Sequence, residues 1–191
     1  MPVSIRANRV VPTLILFSLL LSTQVFSSDL FVQTDVEPYV VVSTYENRVN
    51  IGSVATAGDI KGSFSFYVES NANIVILRSI VTHLYKDSDP GNETTKPIRV
   101  KNEVGMRIEP EAAEPINGAS LFAPYVEAEA YNKAEGLFQG YKTAPINLKS
   151  TQANGLFSQD IALHATWTQD NQVKPAGTYG GYIVLYVMVS I

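Results

Sequence analysis

The chain contains no cysteine. Thiol catalysis, thiolate metal sites and a disulfide framework are therefore excluded, and stability must come from a packed core or from partners. Histidine is almost as scarce: His83 and His164 are the only two, each set inside a strand-like stretch. Neither H-x-H, nor H-E-x-x-H, nor a carboxylate cluster accompanies them, so a zinc site lacks its ligands and no metal or other cofactor is expected. There is no G-x-S-x-G step to carry a serine nucleophile, and "NGAS" and "NGLFS" read as turns. Basic residues are outnumbered, 14 against 18 acidic ones, with no basic stripe to serve nucleic acid.

The first part of the chain reads as a targeting segment. Arg6 and Arg9 precede an apolar stretch from Val10 to Leu21, and small residues follow at Ser27 and Ser28. That is the layout of a secretory signal peptide over residues 1 to 27, cleaved after Ser27 with Val25 and Ser27 in the two small-residue positions. Pro12 and Ser18 interrupt the apolar stretch, which is also short for a membrane span. The mature chain would carry a net charge of −6 and about 164 residues, enough to bury a core.

From there on, Val, Ile, Tyr and Phe come in short bursts separated by Gly, Pro, Asn and Asp, which predicts an all-β sandwich or barrel. Expected strands are Leu30 to Val36, Tyr39 to Tyr45, Arg48 to Val54, Gly62 to Val68 and Asn73 to Tyr85. The fourth of these alternates with Phe64, Phe66 and Val68 on one face; the fifth is long enough to bend or to bulge. "KDSDPGNETTKP", from Lys86 to Pro97, reads as an exposed hairpin loop, and Asn92, Glu93 and Thr94 within it spell a glycosylation sequon in letter only. The Ala- and Glu-containing middle predicts short strands with one helical turn near Val126 to Ala134, because Pro110, Pro115 and Pro124 interrupt any longer helix. Strand character returns at Ala144 to Leu148 and Leu156 to Trp167. After the turn at Pro175 and Gly177, everything beyond Thr178 reads as strand, apolar on both faces. Such a strand needs a cover, because unpaired it would seed aggregation.

The glutamate pairs Glu109/Glu111 and Glu127/Glu129 have the spacing that places each pair on one strand face. Glycoside hydrolysis would require burial and a fitting separation, whereas their Ala- and Pro-rich surroundings suit a solvated acidic face. Trp167 offers either a sugar-stacking ring or a core residue. Three readings follow: a structural protein without enzymatic activity, a secreted carbohydrate-binding module or minor adhesin, and a secreted hydrolase.

The two apolar ends favour the first. A sandwich lacking its last strand exposes a groove that a strand from another molecule can fill, the main chain supplying hydrogen bonds and alternate side chains supplying register. In "LFVQTDVEP", Leu30, Val32, Thr34 and Val36 share one face, and each large aliphatic among them contributes about 1.5–3 kcal/mol if fully buried. Pro38 separates this segment, residues 28 to 38, from the domain at 39 to 191.

These ends resemble those of chaperone-usher pilus subunits. "PAGTYGGYIVLYVMVSI" looks like the last strand of such pilins, which commonly carry P-x-G-x-Y-x-G and then alternating aliphatics. "LFVQTDVEP" resembles the N-terminal donor segment of the cysteine-free, class 5 or alpha-type pilins. The Gly180–Gly181 pair with Tyr182 and Tyr186 departs from the family pattern. The resemblance implies an incomplete Ig-like β-sandwich completed by a donor strand from a neighbouring subunit, with Leu30, Val32, Thr34 and Val36 as donor side chains. It implies that Tyr179, Gly181, Ile183, Leu185, Val187, Val189 and Ile191 form the strand beside which a periplasmic chaperone and then the donor strand sit. It further implies an outer-membrane usher, neighbouring copies or related pilins as partners, a cell-surface fimbrium as destination, and adhesion to a host glycan or protein receptor. One domain with a donor segment fits a shaft or minor subunit.

Overall fold

The computed structural model describes residues 33, 36–53, 56–91, 95–102, 104–108, 113–116, 120–134, 136–170 and 174–190. The chain divides into Met1–Asp35 and Val36–Ile191, and the architecture that follows is that of the second unit. The expected signal peptide, the donor positions Leu30, Val32 and Thr34, and the terminal Ile191 lie outside the described residues.

The protein is all-β. Its strands are β1 (Val40–Thr44), β2 (Gly58–Ser70), β3 (Ile74–Thr82), β4 (Tyr85–Lys86), β5 (Arg99–Val100), β6 (Gly105–Arg107), β7 (Ala113–Pro115), β8 (Phe122–Lys133), β9 (Gly136–Thr143), β10 (Ile146–Ser150), β11 (Phe157–Gln169), β12 (Tyr179–Gly180) and β13 (Ile183–Val189). Eleven of them form one antiparallel sheet in the order β1-β2-β11-β6-β8-β9-β3-β10-β7, with β13 on β3 and β5 on β11; β12 pairs with β4 separately.

The sheet is built around one long ladder. β2 and β11 pair from Phe157 opposite Ser70 to Gln169 opposite Gly58. Along β11, Phe157, Gln159, Ile161, Leu163, Ala165, Trp167 and Gln169 are all buried, the two-residue period of a strand with one face on a core. β8 carries the chain from one half of the sheet to the other: its start pairs with β6 and the rest with β9, across a bulge between Tyr125 and Glu127. Phe66 and Val68 of β2 and Ile161 and Leu163 of β11 pack into one cluster with Val75 and Leu77 of β3, Leu148 of β10 and Leu185 of β13. The two halves of the sheet thus cover a shared apolar core. Trp167, Tyr125, Val81, Ala165, Leu84 and Ile98 form a second cluster.

Several expectations need correction. Arg48 to Ser53 forms no strand: the Asn50 side chain accepts the Gly52 amide at 3.0 Å, and Gly52 has a φ of 98°, a turn that ends extended pairing. The stretch from Val126 to Lys133 is strand rather than a helical turn, because its main chain pairs with β9 down to Lys133 opposite Gly136. Local Ala and Glu preference yields there to cross-strand partners. Asn73 to Tyr85 breaks at His83, leaving β3, a bridge at Leu84 to Ile98, and β4. The last strand is interrupted as well. Tyr179 and Gly180 pair with β4, the chain steps across at Gly181 and Tyr182, and only Ile183–Val189 runs along β3. A Cβ at Gly181 would meet the His83 carbonyl and lie 2.7 Å from Thr82 Oγ1, so this step requires glycine.

Candidate functional site

Trp167, Glu127, Glu129 and His83, which the sequence singles out for possible chemistry, each hold structural contacts. Trp167 is buried at 2 % exposure, its indole N–H donates to the Thr82 carbonyl at 2.8 Å, and its ring meets Phe64 edge-on at 6.2 Å. It cannot serve as a sugar platform. Glu127 and Glu129 both grip Lys142, at 3.0 and 2.7 Å, on an exposed part of the β8–β9 ladder; Glu109 and Glu111 lie outside the described residues. Among the described residues no three His, Asp or Glu side chains converge as a metal site.

His83 occupies the break between β3 and β4, and the Val100 amide donates to its Nδ1 at 3.2 Å. Burial, with the nearby Arg99 charge adding, pushes its pKa down to about 4. The unfolded chain, with an ordinary value of about 6.5, then binds the extra proton first as pH falls. The contribution to stability is complete above about pH 6.5 and is lost on acidification through about pH 4. We expect wild type to lose roughly 1–2 kcal/mol more than His83→Gln between pH 7 and pH 4, allowing for partial solvent screening. Thermal melts of both at the two pH values check this; equal losses would contradict it.

The notable feature is an uncompleted edge. β13 pairs with β3 on one side, and among the described residues no strand pairs with its other side. The hydrogen-bond parity follows from its two ends. The Thr82 amide donates to the Tyr182 carbonyl at 2.9 Å, and the Ser190 amide donates to the Ile74 carbonyl at 3.2 Å. In an antiparallel ladder hydrogen-bonded pairs recur every second residue, so Val184, Tyr186 and Met188 also bond to β3. Ile183, Leu185, Val187 and Val189 therefore turn their amides and carbonyls to the free edge. Their side chains share the core-facing side: Leu185 is buried, and Ile183 and Val187 pack against the core while remaining half-buried. Tyr186 and Met188, on the other face, are 40 % and 48 % exposed.

β1 lies close beside β13; among the described residues it pairs only with β2, and it stops at Thr44. Above that point the Gly58–Ser65 half of β2 has β11 on one side and no strand on the other among the described residues. An open groove of about 1880 Å³ lies there, lined by Ile51, Ile60, Phe64, Tyr179 and Ile183. Each of these is only half-buried although it packs against the second core cluster. Apolar side chains left in that state are a core lacking part of its cover.

The joint before β1 is fixed. The Tyr39 amide donates to Asn71 Oδ1 at 2.7 Å, and Asn71 Nδ2 donates to the Glu37 carbonyl at 3.0 Å, so one side chain clamps the chain on both sides of Pro38. Val36, just before it, is 78 % exposed.

Of the final-strand residues expected to act together, Ile183, Leu185, Val187 and Val189 do share an edge and a face. Tyr179 and Gly181 stand beyond the break, Tyr179 on the groove wall. Ile51, Ile60 and Lys174 of the groove were not anticipated; nothing in their local sequence marks them, since long-range pairing alone brings them together. No protein-family model, no curated protein and no solved structure matches this chain.

Proposed function

We propose that the chain is an incomplete Ig-like β-sandwich and a structural subunit of a surface pilus, exported through the periplasm and polymerising by strand donation between copies. The observation that carries this reading is the free β13 edge beside a half-covered apolar groove. A strand added there gains main-chain bonds from Ile183, Leu185, Val187 and Val189 and covers Phe64 and Ile60. The segment Leu30 to Val36 supplies aliphatics at the same two-residue spacing. Before assembly the same edge needs a temporary cover, the role of a periplasmic chaperone, and exchange at an outer-membrane usher replaces that cover with the next subunit's segment. Adhesion, through a host glycan or protein receptor, would be a property of the finished fibre, and no enzymatic step is assigned to the chain.

A peptide of residues 28 to 38, added while a chain beginning at Tyr39 refolds, should raise the thermal midpoint by about 10 °C or more, given several kcal/mol of added burial. A scrambled peptide should leave it unchanged. Equal effects of the two peptides would sink the proposal.

A further inference from the structure

On the face of β1, β2 and β11 that turns away from the core, three tyrosines and two acids come together. Val40 packs toward the core, so Tyr39, Val41 and, on the same parity, Tyr45 point outward. Val41 stands opposite Glu69 of β2, which is itself opposite Ser158 of β11, and Tyr67 stands opposite Asp160. The phenols are tied down. Tyr39 donates to Glu69 Oε1 at 3.0 Å, Tyr45 donates to Asp160 Oδ1 at 2.8 Å, and the Tyr67 hydroxyl shares a 2.6 Å hydrogen bond with Ser158 Oγ. Asp160 lies two strands from Tyr45, about 9.5 Å, with β2 between them. The Tyr45 ring must therefore lie down across β2, yet the residue is 69 % exposed. One ring face rests on the sheet and the other is open to solvent. Tyr39, 43 % exposed, is held by the same kind of bond.

We infer that this face is a binding platform for a neutral oligosaccharide. A phenol ring held flat offers an apolar plane to the C–H face of a sugar, and its tether has already met the cost of ordering the side chain. The remaining lone pairs of Glu69 and Asp160 accept from sugar hydroxyls. Ser43, opposite Tyr67, and Ser65, two residues before it, add exposed hydroxyls that can donate or accept. The two acids make the face a poor match for an anionic sugar or for nucleic acid. A protein partner would want an apolar centre, and between Tyr39 and Tyr45 only Val41 offers an exposed aliphatic on this face. From Tyr39 to Tyr45 the platform spans about 20 Å along the strand, room for several sugar rings rather than one. A shallow face of this kind binds weakly alone, and repetition along a fibre multiplies it. The platform narrows the receptor of the pilus reading to a glycan. It uses neither the β13 edge nor the groove, so it stands or falls apart from strand donation.

The test titrates the full secreted chain with cellotetraose, maltotetraose and lacto-N-neotetraose, with a sialylated lactose as the anionic comparison, and reads binding by saturation-transfer NMR and calorimetry. At least one neutral tetrasaccharide should bind saturably. Tyr45→Ala should weaken that binding about tenfold and Asp160→Asn about fivefold or more, the worth of one stacked ring and one charge-assisted bond. Thermal midpoints of both variants should stay within about 3 °C of wild type, because the side chains are exposed. Tyr45→Phe keeps the ring and loses the tether, so its affinity should fall between those of wild type and Tyr45→Ala. Tyr186→Ala, which removes an exposed tyrosine from the other half of the sheet, should bind like wild type. Saturable binding by none of the three neutral sugars, tighter binding of the sialylated one, or equal losses from Tyr45→Ala and Tyr186→Ala would overturn the platform. Tyr45→Ala chains should still polymerise, so failure of sugar binding and failure of strand donation are read separately.

Discussion

If the chain is a strand-donating pilus subunit, a form lacking Asp29 to Glu37 should fold, be captured by a periplasmic chaperone, and fail to extend a fibre. The expected effect is close to all-or-none. Leu30, Val32 and Val36 together can contribute about 5–9 kcal/mol of burial before ordering costs, and the main-chain bonds along Ile183, Leu185, Val187 and Val189 are lost with them. Even half of that corresponds to roughly a hundredfold or more in subunit affinity. The truncated chain keeps β1 to β13, including the edge and the groove, so on the same reading it should still accept a strand. Mixed with wild type it should therefore cap growing fibres and shorten them in proportion to its share. Electron microscopy of fibre lengths, with chaperone co-purification as the folding control, reads both outcomes. Fibres of normal length from the truncated chain alone would mean that another segment joins the subunits.

Bursts of strand-forming residues announced β2, β3, β11 and β13, and two-residue alternation marked β2 and β13, because both are local properties that survive any tertiary arrangement. The Ala- and Glu-containing run at Val126 was misread for the converse reason. Nothing near it in sequence reveals that Gly140 and Tyr141 will pair with Glu129 and Ala128. The free edge was half legible: an apolar last strand demands a cover, but only the ladder shows that β3 takes the even-numbered residues and leaves the odd ones unbonded. Lys174 was illegible. A lysine between turn residues is ordinary in sequence, and its burial comes from a groove assembled by β2, the segment after β11 and the turn before β12.

That parity permits a sharper experiment than deletion, since proline removes one amide at a chosen place. At Val187 the lost amide faces the free edge, so the β3 ladder stays intact and proline is tolerated as it is on edge strands. Val187→Pro should cost the isolated subunit only about 1–2 kcal/mol, mostly from the smaller half-buried side chain. It should also disrupt strand addition, since the added strand loses a central bond and the ring projects into its path. At Tyr186 or Met188 the lost amide is one bonded to β3, opposite Arg78 or Ile76. Tyr186→Pro and Met188→Pro should therefore cost about 3 kcal/mol or more and unfold the subunit before any question of assembly arises. Denaturant melts of the isolated subunits should separate Val187→Pro from the other two, and peptide-binding and fibre assays should show Val187→Pro folded but unable to polymerise. If Val187→Pro polymerised normally, the incoming strand would not use this edge. If all three variants unfolded alike, the outward direction of the odd-numbered amides would be wrong. One turn of register decides the result, because moving the proline by a single residue exchanges a failure of assembly for a failure of folding.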